Sequence, residues 1–216
     1  MPERLAFALL ACTLCISLAG CNILGPAYYF IHGPEKAPAA FTIPPKSKTT
    51  ILIDDRSNIL PRVALRDAIG REAQTQILES RALTDMIDAT SARQTAAARD
   101  RAGSPLSITE VGRAVGAEVV IYATVDQFAL TQDGESFSPV ATLRVKVIDA
   151  ANDRRMWPED PRGQSLIVRP KASAASPPSS AGQRLKAEEE LASLVGLRLA
   201  ELFYKHEVPK GVSVPN

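Results

Sequence analysis

The sequence predicts an α/β (α+β) fold: a mixed sheet of about four to five strands with an antiparallel meander, its faces covered by helices. Three observations lead there. A short β-branched run, Thr50-Ile51-Leu52-Ile53-Asp54, is followed by a long helical period. Two strong strand patterns, 118–125 and 140–147, flank the turn dipeptide Asp133-Gly134. A last amphipathic helix then closes the chain over 183–206.

Each element has a local reason. Residues 50–54 are apolar and end in Asp54-Asp55, which reads as a buried strand running into a polar turn. Leu65, Ile69, Ala73 and Ile77 recur every fourth position, so 61–80 is an amphipathic helix with Pro61 near its start. Residues 83–87 form a weaker strand candidate. The Ala-rich, charged stretch 91–101 reads as a surface helix. Ser107 and Glu110 match a capping box, Leu106 and Val111 a hydrophobic staple, and Gly116 the residue just past the end of a short helix. In 140–147, Leu143, Val145 and Val147 alternate with Thr142, Arg144 and Lys146, which gives one buried and one polar face. Arg154 to Trp157 starts a further strand, Pro158 and Pro161 break it, and 166–168 resumes it. Finally Leu191, Leu194, Val195, Leu199, Leu202 and Phe203 share one helical face, with Glu188 to Glu190 nearer its start and Lys205 near its end, as the macrodipole favours.

The first 21 residues follow a different logic. Arg4 precedes an apolar run from Leu5 to Leu18, which ends in Leu18-Ala19-Gly20-Cys21. A charged start, a short apolar core and small residues before a cleavage point make a secretory signal. The apolar run falls short of the roughly 20 residues that a membrane-spanning helix needs. Cys12 leaves too little apolar run before it, and Leu14 puts a large residue before Cys15. The segment resembles the signal of bacterial lipoproteins. That resemblance implies a signal peptide over 1–20 and lipid attachment at Cys21, the first mature residue. Asn22 departs from the Asp that tends to hold such proteins in the inner membrane, which by resemblance favours the outer membrane.

Residues 21–47 read as a lipidated N-terminus and tether, rich in Gly and Pro and without a sustained period. Within it Tyr28-Tyr29-Phe30-Ile31 is either an interfacial aromatic anchor or a segment docked on the domain. The α/β domain is expected over 48–206, with a mobile Ala/Ser/Pro loop at 171–182 and a tail at 207–216. Removal of 1–20 leaves Cys21 as the one cysteine, so no disulfide forms within the mature chain. His32 and His206 are too few to build a Cys/His metal site, and no cofactor is expected. The net charge of +1, with both signs interspersed, gives no footprint for nucleic acid. No second apolar segment suits a membrane span. The expected partners are the membrane, through the lipid, and another envelope protein.

A wider resemblance covers roughly 49–205. The segment Ile108-Thr109-Glu110-Val111-Gly112-Arg113-Ala114-Val115-Gly116-Ala117-Glu118 runs into a strand that ends Ala123-Thr124-Val125. Leu143 to Ala150 then ends with Asp149 and a turn that leads to Trp157. This is similar to periplasmic domains related to the curli secretion lipoprotein, the N-terminal domain of TolB and the lipoprotein activators of penicillin-binding proteins. The chain departs from that pattern at Ala123, where a Gly is common, and at Asn152-Asp153, where Thr-Gly is common. The resemblance implies an envelope α/β domain; its motifs mark where strands begin and end.

Chemistry is sparse. Asp54-Asp55, at the end of a strand, is the best candidate for a site, because ligands collect at strand ends in α/β sheets. Its plainer role is to cap the following helix and solvate the turn, since no His, Cys or Gly-rich loop accompanies the pair. Gly112 and Gly116 precede their strand and so form no dinucleotide fingerprint. Trp157 reads as a core or sheet-edge residue, and Arg154-Arg155 as a solvated turn. The sequence therefore favours a non-catalytic periplasmic binding or scaffolding module, lipid-anchored to the outer membrane and not an enzyme. The alternatives are a subunit of an envelope secretion or assembly complex and an envelope enzyme. A subunit of a secretion pore would need membrane hairpins alternating over roughly 9–11 residues per strand.

Lipidation is directly testable. Cys21→Ala is expected to leave an uncleaved or misprocessed precursor. Intact-mass analysis of the wild-type protein is expected to find a diacylglyceryl-modified Cys21 at the mature N-terminus.

Overall fold

The computed structural model describes residues 36–132, 136–170 and 177–208. The expected signal peptide 1–20, Cys21, His32, the 28–31 aromatic run and the Asp133-Gly134 turn lie outside the described residues. So do residues 171–176 of the expected loop and 209–216 of the expected tail. In chain order the elements are β1 (Lys36–Ala37), β2 (Thr49–Asp54), α1 (Ala64–Glu79), α2 (Ala89–Arg101), α3 (Ile108–Ala114), β3 (Val119–Thr131), β4 (Phe137–Asp149), β5 (Arg154–Trp157), β6 (Gln164–Val168), α4 (Ala181–Glu201) and β7 (His206–Glu207). The fold is α/β, with a mixed five-stranded sheet. One unit, Ala39–Tyr204, contains this sheet and the four helices. In the other unit β1 and β7 pair antiparallel, with Ala37 opposite His206. His206 thus belongs to a strand and not to the fraying end of a helix, because α4 stops at Glu201.

β2 pairs parallel with β3 over six residues, from Thr49 opposite Val119 to Asp54 opposite Thr124. A strand buried on both faces reads as a continuous apolar run, and Ile51, Leu52 and Ile53 are all buried. Ile51, Ile53, Val119, Ile121 and Ala123 face α1 and α4, which supply Leu65, Ile69, Ala73, Ile77, Leu191, Val195 and Leu199 to the larger core. Leu52, Val120 and Tyr122 face the other way, into a smaller cluster with Ala92 of α2, Val111 of α3 and Ala150.

β3 and β4 are longer than their sequence patterns, at 13 residues each. The register shifts between Val125 and Gln127, which leaves Asp126 as the extra residue of a bulge. Odd-numbered residues face the larger core up to Val125; beyond the bulge Phe128 faces it. A one-residue slip exchanges the two faces of a strand, so the alternation breaks at Asp126 although the pairing continues. β5 and β6 both pair with β4, opposite 147–149 and 141–145 respectively. The peptide between Trp157 and Pro158 is cis.

Several local expectations shift. α1 begins at Ala64, so Pro61 precedes the helix. Residues 83–87 form no strand: Leu83 and Met86 are buried, and the backbone contributes one bond to the sheet, from Ile87 N–H to Thr49 O (2.9 Å). Ser107 and Glu110 form the expected capping box, and Gly116 takes the left-handed conformation (φ 79°) that ends α3. α4 starts at Ala181 behind a second capping box, Ser180 with Gln183, so the end of the expected 171–182 loop is helix. The expected tether 21–47 is partly built into the domain. Ile43 is buried, Phe41 stacks on Trp157 with ring centroids 6.1 Å apart, and Ala40 and Phe41 N–H both donate to Leu202 O. Isolated apolar side chains on an extended segment leave no period to read, yet each can fill a gap.

Two contacts tie α4 down. Arg62 Nε donates to Glu188 Oε2 at 2.9 Å, and Glu188 is buried. Gly196 lies where α4 crosses α1: a Cβ there would sit 2.6 Å from Glu72 Cβ and 2.7 Å from Ile69 O. Gly196→Ala would gain up to about 1 kcal/mol of helix propensity. It would also force the two helices apart, at a cost of about 1–3 kcal/mol. A net loss of stability in urea denaturation is expected, with far-UV circular dichroism preserved.

Candidate functional site

The polar groups singled out for chemistry gather where β2 ends. Even-numbered side chains of β2 face the smaller cluster, which places the Asp54 carboxylate beside Tyr122 of β3. Tyr122 donates its hydroxyl to Asp54 Oδ2 at 2.5 Å, and Arg56 Nε approaches the same oxygen at 2.9 Å. Asp55 points elsewhere and is 2% exposed. Its Oδ1 accepts from Ile59 N–H (2.7 Å), and its Oδ2 from Leu60 N–H (3.1 Å) and Arg66 Nη2 (3.4 Å). Arg66 Nη2 also donates to the Asp55 carbonyl at 3.0 Å.

This corrects one expectation. Neither aspartate caps α1, whose first turn follows Val63 with no side-chain cap. Nine residues, 55–63, separate the strand from the helix, and Asp55 serves the amide donors inside that turn. Buried amides need acceptors, and a carboxylate supplies two oxygens in one place.

Beside Asp54 lies a pocket of about 60 Å³, lined by Asp54, Arg56, Arg66, Arg93, Asp100 and Tyr122 over Leu52 and Val111. Each arginine already has a carboxylate: Arg56 has Asp54, Arg66 has Asp55, and Arg93 Nε donates to Asp67 Oδ1. Arg66 Nε is buried and has no hydrogen-bond partner among the described residues. Burial, and then the hydrogen bond to Asp54, push the Tyr122 phenol up to about 12, so at neutral pH it acts as a donor. The arrangement therefore presents guanidinium and phenol donors whose charges are balanced within the cluster. It contains no Ser, Cys or His beside a base. Among the described residues no group of three or more His, Cys, Asp or Glu could hold a metal ion.

The sequence-level candidates are thus dispersed. Asp54 and Asp55 are neighbours in the chain but serve different partners. His206 lies in the other unit. Trp157 packs between Phe41 and Phe203, and Arg154 and Arg155 are exposed in β5. Sequence reasoning missed Arg66, Arg93, Asp67 and Tyr122. The pairing of Arg93 with Asp67 joins two helices, and no spacing rule within one element signals it.

No protein-family model matches the chain, and no curated protein matches it in sequence. Among solved structures it is similar to the PelC dodecamer from Paraburkholderia phytofirmans (12% identity, TM-score 0.46, covering 79% of this chain and 97% of that one). It is also similar to the hypothetical protein CT253 from Chlamydia trachomatis (16%, 0.41, 72% and 93%) and to lipoprotein GNA1162 from Neisseria meningitidis (14%, 0.38, 64% and 91%). Likenesses of this extent assign no function.

Two outcomes follow from the geometry. Asp55→Asn removes an acceptor and the charge opposite Arg66, and is expected to cost about 1–3 kcal/mol of folding stability by chemical denaturation. For Tyr122, the folded-state pKa of about 12 lies above the ordinary 10.0, so folding favours the neutral phenol. That contribution to stability is complete below pH 10 and is lost as the pH rises towards 12. A spectrophotometric titration at alkaline pH is expected to show a late-ionising tyrosine that is absent from Tyr122→Phe.

Proposed function

We propose that this chain is a lipid-anchored envelope protein, attached through Cys21 to the outer membrane and facing the periplasm. It acts there as a non-catalytic binding or scaffolding module for another envelope protein. The observation that carries the reading is Leu18-Ala19-Gly20-Cys21 at the end of a short apolar run. Anchoring by more than one acyl chain is stable without a protein span. Among the described residues no helix is long and apolar enough to cross a membrane, which is compatible with attachment by lipid.

The non-catalytic part of the reading draws support from the end of β2. A general acid or base must have a reacting proton within reach. The Asp55 carboxylate is buried against amides of its own turn, and Asp54 Oδ2 is shared by a phenol and a guanidinium. These side chains maintain the shape of the domain, leaving its surface as the functional part.

Membrane fractionation tests the placement: wild-type protein is expected with the outer membrane, and Cys21→Ala is not. Assays on purified protein test the chemistry: no turnover of peptidoglycan or ester substrates is expected. Hydrolysis that disappears in Asp54→Asn, with circular dichroism unchanged, would replace this reading with an envelope enzyme.

A further inference from the structure

Apolar exposure in this domain is concentrated at one place. Of the three large hydrophobic side chains that stand exposed among the described residues, Val63 (60%) and Leu185 (43%) adjoin one guanidinium. Val63 follows Arg62 in the chain, and Arg62 Nη2 donates to Leu185 O at 3.3 Å. Beside them lies a groove of about 420 Å³, bounded by the 55–63 turn, the far end of β3 and the start of α4. Its walls are Ile59, Phe128, Leu130 and three prolines, Pro61, Pro177 and Pro178. That volume falls in the roughly 300–1,000 Å³ range of pockets that take small organic groups.

One charged group is set into these walls. Glu188 is 7% exposed and lines the groove. Its Oε2 accepts from Arg62 Nε at 2.9 Å, and among the described residues its Oε1 accepts no hydrogen bond. Oε1 is not sealed within the protein, so it is an acceptor left for an occupant. A carboxylate oxygen in an apolar wall loses bulk water when the groove fills, so the occupant must bring a donor in its place.

The local charge decides which donor. Arg62 also meets Glu189, Nη1 to Oε1 at 3.4 Å, which leaves one carboxylate charge in excess. Arg184 lies in the groove lining and forms no ion pair among the described residues, so it offsets that excess. An ionised occupant would gain little attraction and would give up its hydration in an apolar groove. A neutral donor on an apolar body has no such cost. Tryptophan and tyrosine have that form, and both are favoured anchors at protein contacts.

We infer that this groove is the docking pocket for a tryptophan or tyrosine side chain of a protein partner. The indole N–H or phenol O–H donates to Glu188 Oε1, and Val63 and Leu185 form the apolar rim. The inference rests on the reading of the chain as a binding module, and gives the partner's anchor a place and a chemistry. It does not need the lipid.

Short peptides test it on the mature protein in detergent micelles, with the methyl groups of Ile59 and Leu130 observed by NMR. N-acetyl-Gly-Trp-Gly-amide is expected to shift both methyl signals with a Kd on the order of 1 mM, as suits one anchored side chain. The same peptide with 1-methyltryptophan keeps the apolar body and lacks the donor. It is expected to bind about tenfold more weakly, the worth of a hydrogen bond to a charged group. Glu188→Met is expected to bind the two peptides alike. Ala129→Phe, which fills the groove from β3 and leaves Glu188 in place, is expected to bind neither. Absence of the methyl shifts, equal binding of both peptides by the wild-type protein, or undiminished binding by Ala129→Phe would each overturn the inference. So would a preference between the peptides that survives Glu188→Met. None of these results bears on anchoring, and a failure of Cys21-dependent fractionation would leave the methyl shifts unchanged, so the two readings fail separately.

Discussion

The parallel pairing of β2 with β3 is the constraint from which the rest of this architecture follows. Two parallel strands cannot be joined by a tight turn, so the chain must leave the sheet and return before residue 119. Here it does so through α1, α2 and α3. Because both faces of β2 are buried, the intervening helices divide. α1 goes to the face of Ile51 and Ile53, and α2 and α3 go to the face of Leu52. α4 then joins α1, with Gly196 removing the side chain that would hold the two helices apart. Gly112 plays the same part for α3, where a Cβ would meet Val120 Cγ2 at 2.7 Å and Ala150 Cβ at 2.8 Å.

The exit from β2 shows how polar residues serve this arrangement. The turn that follows carries the amides of Ile59, partly buried, and Leu60, buried; Asp55 accepts from both and is itself neutralised by Arg66. Removal of one partner from such a cluster is costly because it leaves a buried group without its counterpart. The same residues are the ones a search for catalytic carboxylates would select. Their partners, more than their identities, separate a structural role from a chemical one.

β6, which carries no charge, and the charged, shifted β5 lie on the same side of β4. The loop between them, which carries Pro158 and Pro161, divides one sheet edge into two stretches of different character.

Much of the fold was legible in the sequence by itself. Period and capping chemistry act within one element, so the four-residue recurrence in α1 and the Ser107–Glu110 box predicted their helices. The apolar run of β2 and the alternation in β4 likewise predicted their strands. Tertiary structure decided the rest. The bulge at Asp126 reverses the faces of β3, so its alternation stopped short although its pairing did not. Residues 83–87 have a strand-like composition, but as packed they give β2 a single backbone bond. Ile43 and Phe41 fill gaps that exist only once α4 and β5 are in place. Tyr122 beside Asp54, Arg66 beside Asp55 and Arg93 beside Asp67 come from other elements. Ion pairs between distant residues follow from packing, and packing has no period along the chain.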